Sequence, residues 1–144
     1  MTMISRLGFK PTKRTEIKSK LIRTTDEITI VIPVKDNQNG IDIFLTEFFR
    51  THNADNFPKE IIIVDNNSNP AIEIKRNDFP ISVRLFKCSK IGPASARNFG
   101  VKQTQTEWIL FTDSDCVPTE SFITGYLKVQ NGSVGYAWTT HLRF

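Results

Sequence analysis

The sequence predicts an α/β domain: a mostly parallel sheet with helices on both faces. Three observations lead there. Short β-branched runs alternate with helix-length segments, which implies crossover connections. The segment after the first run has apolar residues at helical spacing. The runs at Val34, Val64 and Phe111 are each followed by a polar cluster, and in parallel sheets ligands bind beyond such strand ends.

Ile28, Ile30, Val31, Ile32 and Val34 make the first strand, which runs into Lys35-Asp36 and opens the domain at residue 28. Ile41, Phe44, Leu45 and Phe48 stand at i, i+3, i+4 and i+7, one buried face of a helix entered near Asn39-Gly40. Phe57-Pro58 breaks that pattern. Ile61 to Val64 is a second buried strand, stopped by Asp65-Asn66-Asn67-Ser68-Asn69-Pro70. Val83-Arg84-Leu85-Phe86 reads as a third strand interrupted by a charge. A helix follows Gly92-Pro93 and runs through Lys102, with Ala94, Ala96 and Val101 as a small-residue face. Trp108 to Phe111 is the fourth strand, and Pro118-Thr119-Glu120 starts a helix that turns Phe122, Ile123, Tyr126 and Leu127 inward and ends at Asn131-Gly132. The tail from Val134 to Phe144 has no clear period.

With 144 residues, one core is expected. No apolar stretch approaches the ~20 residues of a membrane helix. The N-terminus lacks a secretory pattern, because Lys10, Lys13 and Arg14 stand where an apolar core should be, and Cys88 and Cys116 have no metal-ligand spacing. The expected location is the cytoplasm. The net charge of +4 belongs to residues 1–27, which carry seven Lys/Arg against three Asp/Glu, while the rest balances at twelve of each. This basic arm reads as a solvated extension that can also lie peripherally on anionic lipid. It has no interleaved aromatics, so nucleic acid is not an expected partner.

Asp113 and Asp115 stand two apart after a strand, so in extended backbone their carboxylates share a side and could hold a hard cation such as Mg²⁺ or Mn²⁺. Read alone, Asp-Ser-Asp is more simply a turn or a helix N-cap. Gly92 to Gly100 puts small residues at a helix start beside Arg97, a fork for phosphate or carboxylate, without the spacing of a Walker loop or dinucleotide fingerprint. Read alone, it is equally an Ala-rich helix with Arg97 on its wet face. His52 and His141 have no partner pattern and are not catalytic candidates; no serine sits in a nucleophile elbow.

Taken in order, Ile30 to Val34, Glu60 to Ser68, Gly92 to Gly100 and Phe111 to Asp115 resemble the inverting family 2 glycosyltransferases, over about Ile28 to Tyr136. The resemblance implies the Rossmann-like GT-A nucleotide-binding subdomain, in residues 28–144. It implies a nucleotide-diphosphate sugar as donor, a divalent cation (Mg²⁺ or Mn²⁺) as cofactor and a hydroxyl group as acceptor. Pro33 and Val34 would frame the nucleobase, Asp65 would hydrogen-bond its edge, and Arg97 would lie near the base or diphosphate. Asp113 would meet the ribose, and Asp115, with Asp113 beside it, would hold the metal.

Lys35 and Asp36 stand where the family often has an aromatic residue and Asn, and Asn66-Asn67 replaces a common Asp-Gly. The resemblance also implies that the chain is truncated before the acceptor-binding half, so that the base deprotonating the acceptor has no counterpart. Tyr136, Trp138, Leu142 and Phe144 would then form an exposed apolar patch through which copies self-associate. A non-catalytic nucleotide-sugar-binding or interaction module is the competing reading. A flavodoxin-like receiver explains the Gly92 to Gly100 segment less well.

Overall fold

The computed structural model describes residues 2–5 and 24–127. The sheet has five strands: β1 (Thr2–Ser5), β2 (Ile28–Val34), β3 (Glu60–Asp65), β4 (Ser82–Lys87) and β5 (Trp108–Phe111), in the order β1-β5-β2-β3-β4. β5, β2, β3 and β4 are parallel, and β1 pairs antiparallel with β5 on the outside. Helix α1 (Gln38–Thr51) joins β2 to β3, α2 (Pro93–Gln103) joins β4 to β5, and α3 (Thr124–Leu127) follows β5.

All seven residues of β2 and all six of β3 are buried, as expected of central parallel strands. Because successive side chains alternate between faces, each strand feeds two cores. On one face Ile28, Ile30, Ile32, Ile61 and Ile63 pack with Ile41, Phe44, Leu45 and Phe48 of α1 and with Phe122 and Ile123. On the other, Val31, Ile62, Val64 and Ile109 pack with Ala96 of α2. Helices therefore cover both faces. The small-residue face of α2 differs from the expected one: Ala94 is exposed, and Ala96 with Gly100 makes the close approach. A Cβ on Gly100 would lie 2.5 Å from Val31 Cγ1, so only glycine lets α2 sit this near the sheet.

Two further elements differ from expectation for physical reasons. Thr2–Ser5 of the basic arm is not a solvated extension but β1, which pairs the outer edge of β5; the arm's charges begin only at Arg6. The helix expected from Pro118 begins at Thr124. Before it, Phe122 N–H bonds Thr119 O at 2.9 Å and Gly125 N–H bonds Ser121 O at 3.0 Å, in a stretch of Thr, Ser and Gly with poor helix propensity. Phe122 and Ile123 still point inward. The charge inside β4 is also accounted for: Arg84 pairs with the buried Glu60 at 2.8 Å, donates to Gln103 O at 2.9 Å and lies over the Phe86 ring. Residues 6–23, the expected stop at Asn131-Gly132, the tail from Val134 to Phe144 with its apolar residues and His141 lie outside the described residues, as does the side chain of Tyr126.

His52 closes α1 as its C-cap and is 5% exposed, stacked on Phe48 at 4.2 Å between ring centroids. Its Nδ1 lies 3.0 Å from Phe48 O, which makes Nδ1 the donor; Nε2 is buried with no partner among the described residues. Burial holds its pKa below the ordinary imidazole value of 6.5, against the opposing pull of the Phe48 carbonyl and Glu120. The unfolded chain therefore takes up a proton near 6.5 that the folded chain resists. This contribution to stability is complete above 6.5 and shrinks as pH falls below it. Urea denaturation at pH 7.5 and 5.5 should show lower stability at the lower pH, and His52→Leu should reduce that difference. An equal or larger difference in His52→Leu would refute the assignment.

Candidate functional site

The chain leaves β2 towards β3 on one side and returns through α2 to β5 on the other, so the strand order reverses between β2 and β5. Such a switch point opens a crevice beyond the strand C-termini. A local feature widens it. Pairing of β5 with β2 ends at Phe111 opposite Val31, while β2 continues to Val34 beside Asp65 of β3. Val31 O accepts from Thr112 N–H on the β5 side at 3.2 Å, and Val34 O accepts from Asn66 N–H on the β3 side at 2.8 Å. Strand residues face alternate neighbours, so Pro33 faces the β5 side, where its missing N–H ends the ladder.

Into this fork open Pro33, Val34, Lys35, Asn66, Ile91, Gly92, Pro93, Asp113, Ser114 and Asp115, around a cleft of about 400 Å³. Four of the six residues singled out in the sequence line it: Pro33, Val34, Asp113 and Asp115. Arg97 reaches it indirectly, through an ion pair of its Nη2 with Asp113 Oδ1 at 2.6 Å. Both partners are substantially exposed, so the pair adds little stability. Its effect is on charge, because it balances Asp113 and leaves Asp115, exposed at the cleft, without an ion-pair partner among the described residues. The two carboxylates do not lie on extended backbone as expected. Cys116 N–H bonds Asp113 O at 3.2 Å, and a turn carries both to the cleft.

Asp65 does not line the cleft. Only 2% exposed, it accepts from Ser68 N–H at 2.9 Å and from Ile72 N–H at 3.1 Å, and so folds the loop after β3. Burial pushes its pKa up, but bonds from the Ser68 hydroxyl and N–H and from Ile72 N–H, with the Lys87 charge, outweigh this and hold it below the ordinary carboxylate value.

The loop residues that organise the cleft carry no motif. Asn66, 4% exposed, donates to Cys88 O at 3.2 Å and Lys90 O at 2.8 Å and accepts from Gly92 N–H at 2.8 Å. It thereby holds the segment that presents Ile91, which is 65% exposed at the cleft mouth, and Gly92, whose φ of 119° turns the chain into α2. On the opposite side Asp36, at φ 53°, accepts from Asn69 N–H, and its own N–H donates to Ser68 Oγ, both at 2.8 Å. The departures from the family pattern at Asp36 and Asn66 thus tie neighbouring loops together.

Among the described residues no group of three or more His, Cys, Asp or Glu could enclose a metal ion. Asp115 with its turn suits a hard cation that keeps several waters and shares its remaining positions with phosphate oxygens, and does not suit one caged by protein alone.

Residues 29–133 match the sequence family Glycosyl transferase family 2. The chain belongs to this family. It is 31% identical over 106 residues to the pre-mycofactocin glycosyltransferase of Mycobacterium tuberculosis, a match covering 70% of this chain and 20% of that protein. Over 96 residues it is 27% identical to the poly(ribitol-phosphate) beta-N-acetylglucosaminyltransferase TarS of Staphylococcus aureus, covering 62% of this chain and 16% of TarS. The chain thus spans a fifth or less of the length of these relatives. Crystal structures of TarS residues 1–349 superpose with TM-scores of 0.51 alone and 0.54 in complex with UDP-GlcNAc, each at 20% identity over 68% of this chain and over 30% and 29% of that fragment, respectively. They share the GT-A type of Rossmann-like fold.

Asn66→Ala should cost about 2–3 kcal/mol in urea denaturation, because two carbonyls and one N–H lose a buried partner. Amide exchange at residues 89–92 should accelerate at the same time. Unchanged stability together with unchanged exchange would show that the loop holds itself.

Proposed function

We propose that this chain is the donor-binding part of a family 2 glycosyltransferase, which takes a nucleotide-diphosphate sugar together with Mg²⁺ or Mn²⁺ for transfer of the sugar to a hydroxyl acceptor. The observation that carries this reading is the convergence of Asp115, the Arg97–Asp113 pair and the Pro33-Val34 strand end on one cleft at the switch point of the sheet. Family membership makes the class of reaction specific. The TarS complex with UDP-GlcNAc makes a uridine nucleotide the first ligand to test.

In this reading Pro33 and Val34 offer an apolar edge to the nucleobase, with Ile91 opposite them at the mouth. Asp65 holds the loop beside the base. Arg97, through its ion pair, orients Asp113 towards the ribose. Asp115 binds the cation. When bound, the cation neutralises the diphosphate and favours its departure as the anomeric carbon is attacked. The residues of the chain bind and orient the donor, and the attacking hydroxyl comes from an acceptor that approaches the open side.

Asp115→Asn keeps the shape of the side chain but removes the charge a hard cation requires. Loss of even the outer partners of metal ligands costs ten- to a hundredfold in metal affinity. Calorimetric titration with UDP should therefore show the Mn²⁺-dependent affinity of Asp115→Asn reduced by about tenfold or more, with metal-free affinity and melting temperature little changed. Equal affinities for wild type and variant, with Mn²⁺ and with chelator, would exclude Asp115 as the metal ligand.

A further inference from the structure

Asn37 stands outside the cleft lining, in no motif of the sequence, yet it is the side chain that joins α1 to the Asp113–Asp115 turn. As N-cap of α1, its Oδ1 accepts from Gly40 N–H at 3.0 Å. Its Nδ2 reaches across the fork and donates to Ser114 at two points, Oγ at 3.1 Å and the backbone carbonyl at 3.3 Å. One amide therefore uses its acceptor to start a helix and its donor to hold the residue between the two carboxylates.

Gly40 completes the contact. A Cβ built there would stand 2.1 Å from Ser114 O and 2.3 Å from Asn37 Nδ2. Ser114 O belongs to the backbone and cannot swing aside like a side-chain tip. The first turn of α1 thus packs directly on the turn after β5, with no room for any side chain at position 40. Gly40 lies inside a helix, where glycine is ordinarily unfavourable by up to about 1 kcal/mol relative to alanine, so its presence calls for a steric reason. The contact with Ser114 supplies one.

We propose that Asn37 is a positioning residue for the metal-binding carboxylate: with Gly40 it clamps Ser114 so that Asp115 is presented to the cleft in a fixed orientation before cation and nucleotide arrive. This role rests on the reading of Asp115 as the metal ligand. It follows from a general requirement, that a carboxylate sharing a cation with phosphate oxygens must be held by its surroundings to keep its geometry. Asp115 is exposed and sits on a turn, so restraint has to come through its neighbours. Ser114 is the neighbour that the structure ties to a helix.

The capping and clamping roles can be separated by substitution. Serine is as good an N-cap as asparagine but is too short to reach Ser114, so Asn37→Ser keeps the start of α1 and loses the clamp. Gly40→Ala keeps the Asn37 residue but drives a methyl group into both Ser114 O and the Asn37 amide, so it breaks the clamp by steric contact. Two readouts apply to the full chain: amide exchange at residues 114–116 without ligand, and affinity for UDP with Mn²⁺ and with chelator.

Asn37→Ser should speed exchange at 114–116 and weaken the Mn²⁺-dependent affinity, each by about fivefold, the worth of one ordinary hydrogen bond. Exchange within α1 and the metal-free affinity should stay as in wild type. Gly40→Ala should likewise speed exchange at 114–116 and weaken the Mn²⁺-dependent affinity, although alanine normally strengthens a helix. Unchanged exchange at 114–116 in Asn37→Ser would overturn the clamp. Faster exchange with undiminished Mn²⁺-dependent affinity would overturn the positioning role. If wild type binds UDP equally with and without Mn²⁺, the failure lies in the assignment of Asp115 as metal ligand and takes the positioning role with it, while exchange still decides whether the clamp exists.

Discussion

The site depends on the fork between β2 and β5, and the fork begins at a residue that cannot donate a hydrogen bond. Pro33 continues β2 but faces the side on which β5 has just ended, so no further rung can form there. The β3 side keeps its pairing through Val34 and Asp65. One edge of the central strand is therefore satisfied to its last residue while the other opens. The opening so made is lined by the polar turn at Asp113–Asp115.

From that opening the remaining arrangement follows by charge and by backbone demand. Two carboxylates close together at a strand end repel one another unless a cation intervenes. Arg97 takes Asp113 and leaves Asp115 as the carboxylate of the turn without an ion pair among the described residues, the feature on which the proposed cation site rests. Backbone groups beyond the strand ends are taken up by side chains: Asn66 for the loop before α2, Asp65 for the loop after β3, Asn37 for the turn after β5. Three amide or carboxylate side chains thus hold three loops around one cleft. Such arrangements keep a binding surface in place on segments that lack secondary structure.

The four parallel strands and two longer helices were legible in the sequence because their signals are local. β-branched runs of strand length, the i, i+3, i+4, i+7 pattern from Ile41 to Phe48, and the Gly92-Pro93 helix start each depend on neighbours in the chain. What was not legible depends on contacts between distant residues. β1 pairs with a strand more than a hundred residues away, and nothing within Thr2–Ser5 announces that partner. Asn37 and Asn66 look like ordinary turn residues until Ser114, Lys90 and Gly92 are brought beside them. Gly40 reads as part of a helix entry, and only the approach of Ser114 O shows why a side chain is excluded. The resemblance sets Asp65 at the edge of the base, but its oxygens face its own loop rather than the cleft, a contact that no local pattern shows.

The central claim is that one cleft, between the ends of β2 and β5, receives both the cation and the nucleotide. Paramagnetic broadening in the amide spectrum of the labelled chain tests it most directly, because Mn²⁺ relaxes nuclei strongly with proximity and needs no assumption about the acceptor. With UDP present, substoichiometric Mn²⁺ should broaden the amides of Asp113 to Cys116 first and those of Lys35 and Gly92 next, leaving β4 and the far end of α1 sharp. Broadening centred elsewhere, or spread evenly over the acidic surface, would contradict the account.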